Sequence, residues 1–377
     1  MSLRLSTISR EEHLAFVEGL PSASHMQVPA WGGVKAEWRP ESIGWFDEQG
    51  QLVGVGLVLY RQLPKIKRYL TYLPEGPVIN WFDPDLDQWL RPMLAHLKEK
   101  GAFSVKMGPP VVIRRWRAEA IKQAIAGKTA KRLRDVEASA YEPRAFELVD
   151  RLRRMGWQQD DNEEGGGFSI GQPRYVFQVP LTGRSMDDVR KGMNQQWRRN
   201  IKKSEKAGVQ VFLGKFEDLA IFHELYRHTG ERDHFIPRPL SYFQGMWKAL
   251  NSETPDSMRL YLAAHDGEVL AATTMLRTGN HVWYSYGASA SHKREVQPSN
   301  AIQWQMMQDA HAMGADVYDL RGIGDTLDES NHLFGLIRFK VGTGGEAAEY
   351  VGEWDFPLNK VLHKAFDMYM TSRATAR

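Results

Sequence analysis

Apolar positions along the chain recur with two periods that take turns. "REEHLAFVEGL" (10–20) carries them at helical spacing and predicts a short amphipathic helix ending near Gly19. "QLVGVGLVLYRQL" (51–63) is instead a β-rich apolar run that predicts a buried strand. "PEGP" (74–77) is a turn, "LDQWLRPMLAHLKEKG" predicts a helix closed by Gly101, and "AFSVKMGPP" predicts a strand stopped by two prolines. The second half repeats the grammar. "RYVFQVPL" is a strand, residues 185–207 read as one long helix capped by Ser185 and ended by Gly208, and "FEDLAIFHELYRHTGERD" is a helix with Leu219, Phe222, Leu225 and Tyr226 inward. "RLYLAAHDGEVLAATTMLRTGNHVWYSYGAS" reads as a three-strand meander; a helix from a Ser299 or Asn300 cap to Gly314 and the strand "DVYDLRGIG" follow. Strands and helices mixed in this way, twice over, predict an α/β (α+β) chain of two similar domains, with no repeat visible in the residues themselves.

Composition narrows the chemistry. A length of 377 residues suits two domains, and 42% hydrophobic with 11% aromatic residues excludes wholesale disorder. The absence of Cys removes disulfides, thiolate nucleophiles and Cys-bound zinc. No apolar run is long enough to span a bilayer and the first residues lack an apolar signal core, so the expectation is a cytoplasmic protein. "DDNEEGGG" (160–167) is the best linker candidate and places a boundary near Gly171. "GKT" (127–129) lacks the earlier glycine of a phosphate loop, "HELYRH" (223–228) spaces its histidines five apart rather than the four zinc needs, and "GTGG" (342–345) reads as a tight turn. No metal site and no cofactor are expected.

A net charge of +3 says little; the placement of charge says more. At about 100° per residue, Lys191, Arg198, Arg199, Lys202, Lys203 and Lys206 share one arc of the 185–207 helix, opposite Val189, Met193, Trp197 and Ile201. Such a face is either solvated or repels itself until an anion arrives, and a phosphate-rich partner suits it. Residues 112–145 are also basic, with "RRWR" at 114–117. Lys340 in "GLIRFKVGTGG" is flanked by Leu336, Ile337 and Phe339, so it either snorkels to the surface or places a cation against a reacting oxygen. Tyr284 and Tyr286 alternate along a strand and should share one face, for packing or for substrate orientation. Arg238, between Pro237 and Pro239, is either a surface residue or a stiffly held guanidinium suited to phosphate or carboxylate. "NKVLHKAFDMYMTSR" is an amphipathic C-terminal helix for docking or for the membrane surface.

"QWRRNIKKSEKAGV", "VWYSYGAS…NAIQWQMMQDAHAMGADVYDLRGI", "GLIRFKVGTGGEAAEYVGEWDFPL" and "PAWGGVKAEW" together resemble the Fem (FemABX) aminoacyl-tRNA-dependent peptidyltransferases, and look closest to their actinobacterial branch. The resemblance implies two acetyltransferase-like (GNAT-type) domains with mixed sheets facing across a cleft, divided as 1–168 with 350–377 (acceptor side) and 169–349 (acyl transfer and tRNA contacts). It implies transfer of an aminoacyl group from charged tRNA to the stem-peptide amine of a nucleotide- or lipid-linked peptidoglycan precursor, by a monomer with possible contact to the inner membrane leaflet. By the same resemblance Lys35 and Arg238 are similar to residues that hold the acceptor's diphosphate. Tyr242 and one of Tyr284 and Tyr286 match positions lining the acceptor site, and Lys340 matches a Lys thought to stabilise the transition state. With Lys340 the catalytic candidates are Tyr284 and Tyr286, since the amine's proton leaves through the substrate, water or one of these tyrosines. Arg198, Arg199, Lys202, Lys203 and Lys206 would grip tRNA, and with tRNA as the partner that the resemblance implies, Trp116 or Trp197 is available for stacking. Two departures stand out. Gly108 occupies the place of an Asp once proposed as a base in some members, and the short stretch from Tyr242 to Tyr261 leaves no room for the coiled-coil arm of staphylococcal members. Alternatives are a tRNA-dependent peptide ligase in resistance or secondary metabolism, a non-catalytic nucleic-acid binder, and an acyl-CoA N-acyltransferase. The last lacks a glycine-rich turn between Gly287 and the following helix.

Overall fold

The computed structural model describes residues 3–160 and 171–375, so most of the 160–167 linker candidate lies outside the described residues. Two mixed sheets organise the chain. The first has seven strands in the order Arg4–Thr7, Arg39–Phe46, Leu52–Gln62, Tyr69–Leu73, Ala102–Met107, Trp354–Pro357 and Gln158–Gln159. The second has nine, in the order Gln210–Gly214, Met258–His265, Glu268–Thr278, His281–Ser289, Val317–Gly322, Tyr175–Pro180, Glu346–Tyr350, Val112–Arg117 and Ala140–Tyr141.

Each sheet contains the same device. A meander of antiparallel strands leads into a helix that crosses over to a parallel neighbour: Asp87–Glu99 joins Tyr69–Leu73 to Ala102–Met107, and Pro298–Ala312 joins His281–Ser289 to Val317–Gly322. A parallel pair requires such a crossover, which explains the alternation of periods in the sequence. Sheet membership divides the chain less simply than the 168/169 boundary. Val112–Arg117 and Ala140–Tyr141 come from the first half yet pair in the second sheet, where Arg115 meets Glu346 and Arg114 approaches Glu349. The "RRWR" cations are thus partly spent on strand neighbours.

Three cores result. One lies under the first sheet around Trp45, Trp89, Leu148 and Trp354. A second lies on one face of the second sheet around Phe177, Trp197, Met307 and Tyr318. The third is built by both halves: Val17, Trp31 and Leu57 pack with Phe222, Phe243, Leu260 and Trp283. This shared core fixes the two halves against each other, reinforced by Arg10 on Glu253 at 3.0 Å and by the Ala30 amide donating to the same carboxylate.

Two elements depart from expectation. The 185–207 helix is broken: Met186–Gly192 and Gln195–Ala207 are separate, Met193 is extended, and the Asn194 side chain accepts from the Trp197 amide as a fresh N-cap. Asn at the break and Gly just before it give the reason, since Asn favours caps over helix interiors. The helix after the meander starts at Pro298 itself, with Gln297 in the left-handed region before it, rather than at a Ser299 or Asn300 cap. The segment after Tyr242 runs through helix Leu240–Glu253 directly into strand Met258–His265, so no arm is inserted there.

Candidate functional site

Two cationic centres flank the shared core. The first combines residues far apart in sequence. Lys35 ends the short helix Trp31–Val34, which packs on Leu240–Glu253, and its ammonium lies 5.7 Å from the Trp31 ring centroid and 5.6 Å from that of Tyr242. The Arg238 guanidinium covers the same Tyr242 ring at 4.7 Å. The hydroxyls of Tyr242 and Tyr286 are 3.3 Å apart. Burial pushes the Lys35 ammonium down to about 8, Arg238 adds to this, and Glu37 opposes it. Two cations over aromatic faces form a site poised for a doubly charged anion.

The second centre surrounds Lys340. Helix Phe334–Val341 buries this residue to 3% exposure, and its Nζ donates to the Gly322 carbonyl at 2.6 Å, so the snorkelling reading fails. Burial drives the ammonium down to about 7, Asp319 opposes that fall, and Arg321 adds to it. Asp319 is itself buried. Gln178 donates to it at 2.9 Å, the Arg321 amide at 2.6 Å, and His281 lies 3.3 Å away. Burial alone would raise this carboxyl, but His281 and then Arg321 hold it below its ordinary range. Arg321 reaches across to the first half, donating to Glu75 at 2.7 Å, and also donates to Gln172 of its own half at 3.0 Å. Arg321 and Glu75 both adopt positive φ (61° and 50°), a strained conformation for non-glycine residues held here by their mutual ion pair. The location has a topological cause. The parallel pair His281–Ser289 and Val317–Gly322 keeps register only from His281 to Trp283, so Arg321 and Gly322 lie beyond that ladder, with Gly322 still paired to Val176 on the other side.

A chain of contacts joins the centres. The His25 ring sits 5.2 Å from Trp31 and 4.7 Å from Trp283; Trp283 stacks on His281 at 4.1 Å, and His281 meets Asp319. Burial, then Arg321 and His281, hold His25 well below the usual imidazole range, so it is neutral.

The tyrosine pair is a correction. Register slips between Thr274 and Met275, leaving Ser285 as an extra residue, a bulge that turns Tyr284 and Tyr286 to opposite faces. Tyr286 joins the shared core and the Lys35–Arg238 centre, whereas Tyr284 packs on the other core and against Gly287, and burial pushes its hydroxyl up to about 12.

The basic arc survives in shortened form. Arg198, Arg199, Lys202, Lys203 and Lys206 lie on the solvent side of Gln195–Ala207. Lys191 belongs to the preceding helix and borders, with Arg198 and Lys202, a groove of about 470 Å³. Trp116 and Trp197 are buried, their indoles donating to the Val136 and Phe339 carbonyls, so neither offers a ring for stacking. Trp197 has another use. With its bond to Phe339, and with the Asn194 amide on the Gly342 carbonyl at 2.9 Å, it fastens the basic helix to the helix bearing Lys340. Glycine is required at this joint: a methyl group on Gly342 would overlap the Trp197 indole, and one on Gly344 the Gly192 carbonyl.

Gly108 leaves space that another carboxylate fills. A Cβ there would meet Glu353 at 3.2–3.3 Å, and Tyr72 donates to Glu353. Burial raises the Glu353 carboxyl, with Lys106 opposing. Glu75, His281, Asp319, Arg321 and Glu353 were not singled out from sequence. The available signal was charge inside apolar strand runs, as in "DVYDLRG". Among the described residues no group of His, Asp and Glu could hold a metal, and no helix is long and apolar enough to cross a membrane.

The sequence model of the FemAB family matches residues 8–266 and 257–370, and the chain belongs to that family. Among its relatives, a "Lipid II:glycine glycyltransferase" of Staphylococcus haemolyticus (strain JCSC1435) is 24% identical over 429 aligned residues, covering 96% of this chain and 94% of the relative. The crystal structure of FemX superposes with a TM-score of 0.79 at 22% identity, covering 96% of this chain and 99% of FemX. A tandem GNAT protein from the clavulanic acid biosynthesis pathway follows at 0.53 and 12%, covering 95% and 99%. The fold is thus the two-domain GNAT-like architecture.

Proposed function

We propose that the protein transfers an aminoacyl group from charged tRNA to the stem-peptide amine of a lipid-linked peptidoglycan precursor. The observation that carries this reading is the fastening of the cationic helix Gln195–Ala207 to the helix of Lys340. A polyanionic donor gripped on the outer surface delivers its acyl end in fixed relation to the buried Lys340 ammonium. The Lys35–Arg238–Tyr242–Tyr286 centre takes the acceptor's diphosphate, and the relatives named for lipid II favour a lipid-linked acceptor.

The chemistry needs no covalent enzyme intermediate. The acceptor amine attacks the ester carbonyl, a C–N bond forms, the C–O bond to the ribose breaks, and the amine's proton ends on the departing ribose oxygen. Lys340 carries three donor protons, of which Gly322 takes one. The others stabilise the oxyanion of the tetrahedral intermediate, in surroundings where burial strengthens the interaction. Acyl-CoA chemistry fits poorly. The helix that would seat a pyrophosphate opens on Pro298, which lacks an amide proton, and Gln195–Ala207 packs against that helix, with Asn200 bonded to Asn300. The test is incubation with a pool of charged tRNAs and candidate wall precursors, followed by mass spectrometry of the precursor. A precursor heavier by one residue supports the reading; an unchanged precursor with every charged tRNA defeats it.

A further inference from the structure

The loop joining helix Leu219–Asp233 to helix Leu240–Glu253 is held at both ends. His234 ends the first helix in the left-handed region, the Phe235 amide donates to the Gly230 carbonyl at 3.0 Å, and the Phe235 ring packs 5.2 Å from Tyr226. His223 bonds to the Arg238 carbonyl at 3.1 Å, and prolines bracket Arg238. On this braced frame Ile236 is 83% exposed and Phe235 37%. A lone exposed aliphatic residue is ordinary on a protein surface. This one stands two residues before Arg238, a backbone reach of about 7 Å, and the Arg238 guanidinium shares the Tyr242 face with Lys35.

That proximity carries the argument, which rests on the reading that Arg238 and Lys35 hold the acceptor's diphosphate. In a polyisoprenyl diphosphate the hydrocarbon begins one oxygen beyond the phosphorus. A group at the rim of a site occupied by that diphosphate therefore lies at the depth where headgroups give way to acyl chains. Cations that bind phosphate beside a projecting apolar tip are the pattern of interfacial attachment. A nucleotide-linked acceptor continues instead into a ribose, for which Ile236 offers nothing. We infer that the 234–239 loop is a membrane-docking tip, with Ile236 entering the bilayer that carries a polyisoprenyl-diphosphate-linked acceptor.

The chain has no Cys, so Ile236→Cys creates a unique position for an environment-sensitive fluorophore, with Gln49→Cys in an exposed turn as control. Vesicles of phosphatidylglycerol and phosphatidylethanolamine containing polyisoprenyl diphosphate should blue-shift the label at 236 and leave the control unmoved, and inorganic diphosphate alone should shift neither. No shift at 236 on loaded vesicles overturns the inference, as does an equal shift at both positions. In sedimentation with the same vesicles, Ile236→Glu should bind about tenfold more weakly than Ile236→Leu; equal binding of the two variants also overturns it. Neither readout requires aminoacyl transfer. A protein that docks through this tip yet transfers nothing would sink the transfer reading and keep this one.

Discussion

Lys35 and Lys340 both hold their protons less tightly than a free lysine, but their surroundings differ. Lys35 has a second cation, Arg238, and aromatic faces; only Glu37 opposes the effect of its burial. Lys340 sits in a balanced set in which Asp319 and Arg321 pull in opposite directions and Glu75 answers Arg321. A pair of cations answered only by Glu37 is suited to receive charge from outside. A compensated one is built to keep its own charge adjustable while buried. Under the proposed function, binding falls to Lys35 and chemistry to Lys340, and these different neighbours are what would separate the two roles.

The sharpest way to break this contrast is Lys340→Met. Turnover should fall by about two to three orders of magnitude, the scale of one oxyanion donor, with acceptor affinity by calorimetry unchanged. Near-normal turnover would remove Lys340 from the chemistry. Arg238→Ala should act the other way round, raising the acceptor KM by about tenfold to a hundredfold while kcat stays within about threefold. A fall in kcat alone would merge the two centres.

Acidity separates them further. If Lys340 acts as an ammonium, kcat should decline as pH rises through about 7, and Asp319→Asn, by removing the charge that sustains its proton, should move that decline to lower pH. Stability follows the same proton. Between about 7 and the ordinary lysine range the unfolded chain retains a proton that the folded chain has released, so the contribution of Lys340 to stability rises with pH across that window. Denaturant midpoints of Lys340→Met should lack this rise; identical pH profiles for the two proteins would show that the buried amine does not titrate there. The smallest effect belongs to the exposed arc. Neutralising Lys202, Lys203 and Lys206 together should flatten the salt dependence of tRNA binding by up to about three charges without altering thermal stability. An unchanged slope would put the polynucleotide elsewhere.

Local pattern carried most of the fold. Helix Arg10–Glu18, strand Leu52–Gln62 and the meander Met258–Ser289 lie where period and turn residues put them, because each is specified by neighbours in sequence. What escaped was specified by partners far away or by a single inserted residue. Nothing near Ser285 announces a bulge, yet it sends Tyr284 and Tyr286 to opposite sides. Glu75 and Arg321 are 246 positions apart, and each looks like a turn or strand charge until the other is brought against it. The Lys35–Arg238–Tyr242 grouping was named from family resemblance, since Lys35 lies far from the other two in sequence and no spacing links it to them. The break at Met193 was legible in principle, because Asn194 is a cap residue, but the continuous amphipathic arc on either side masked it.

The joint around Gly342 and Gly344 bears on how such a protein can diversify. Side chains cannot be added there without prising the indole of Trp197 or the Gly192 backbone away, and a shift would be transmitted to the lysine one helical turn behind. Bulk added at either glycine is therefore felt at the buried Lys340 ammonium through packing, although neither glycine touches it.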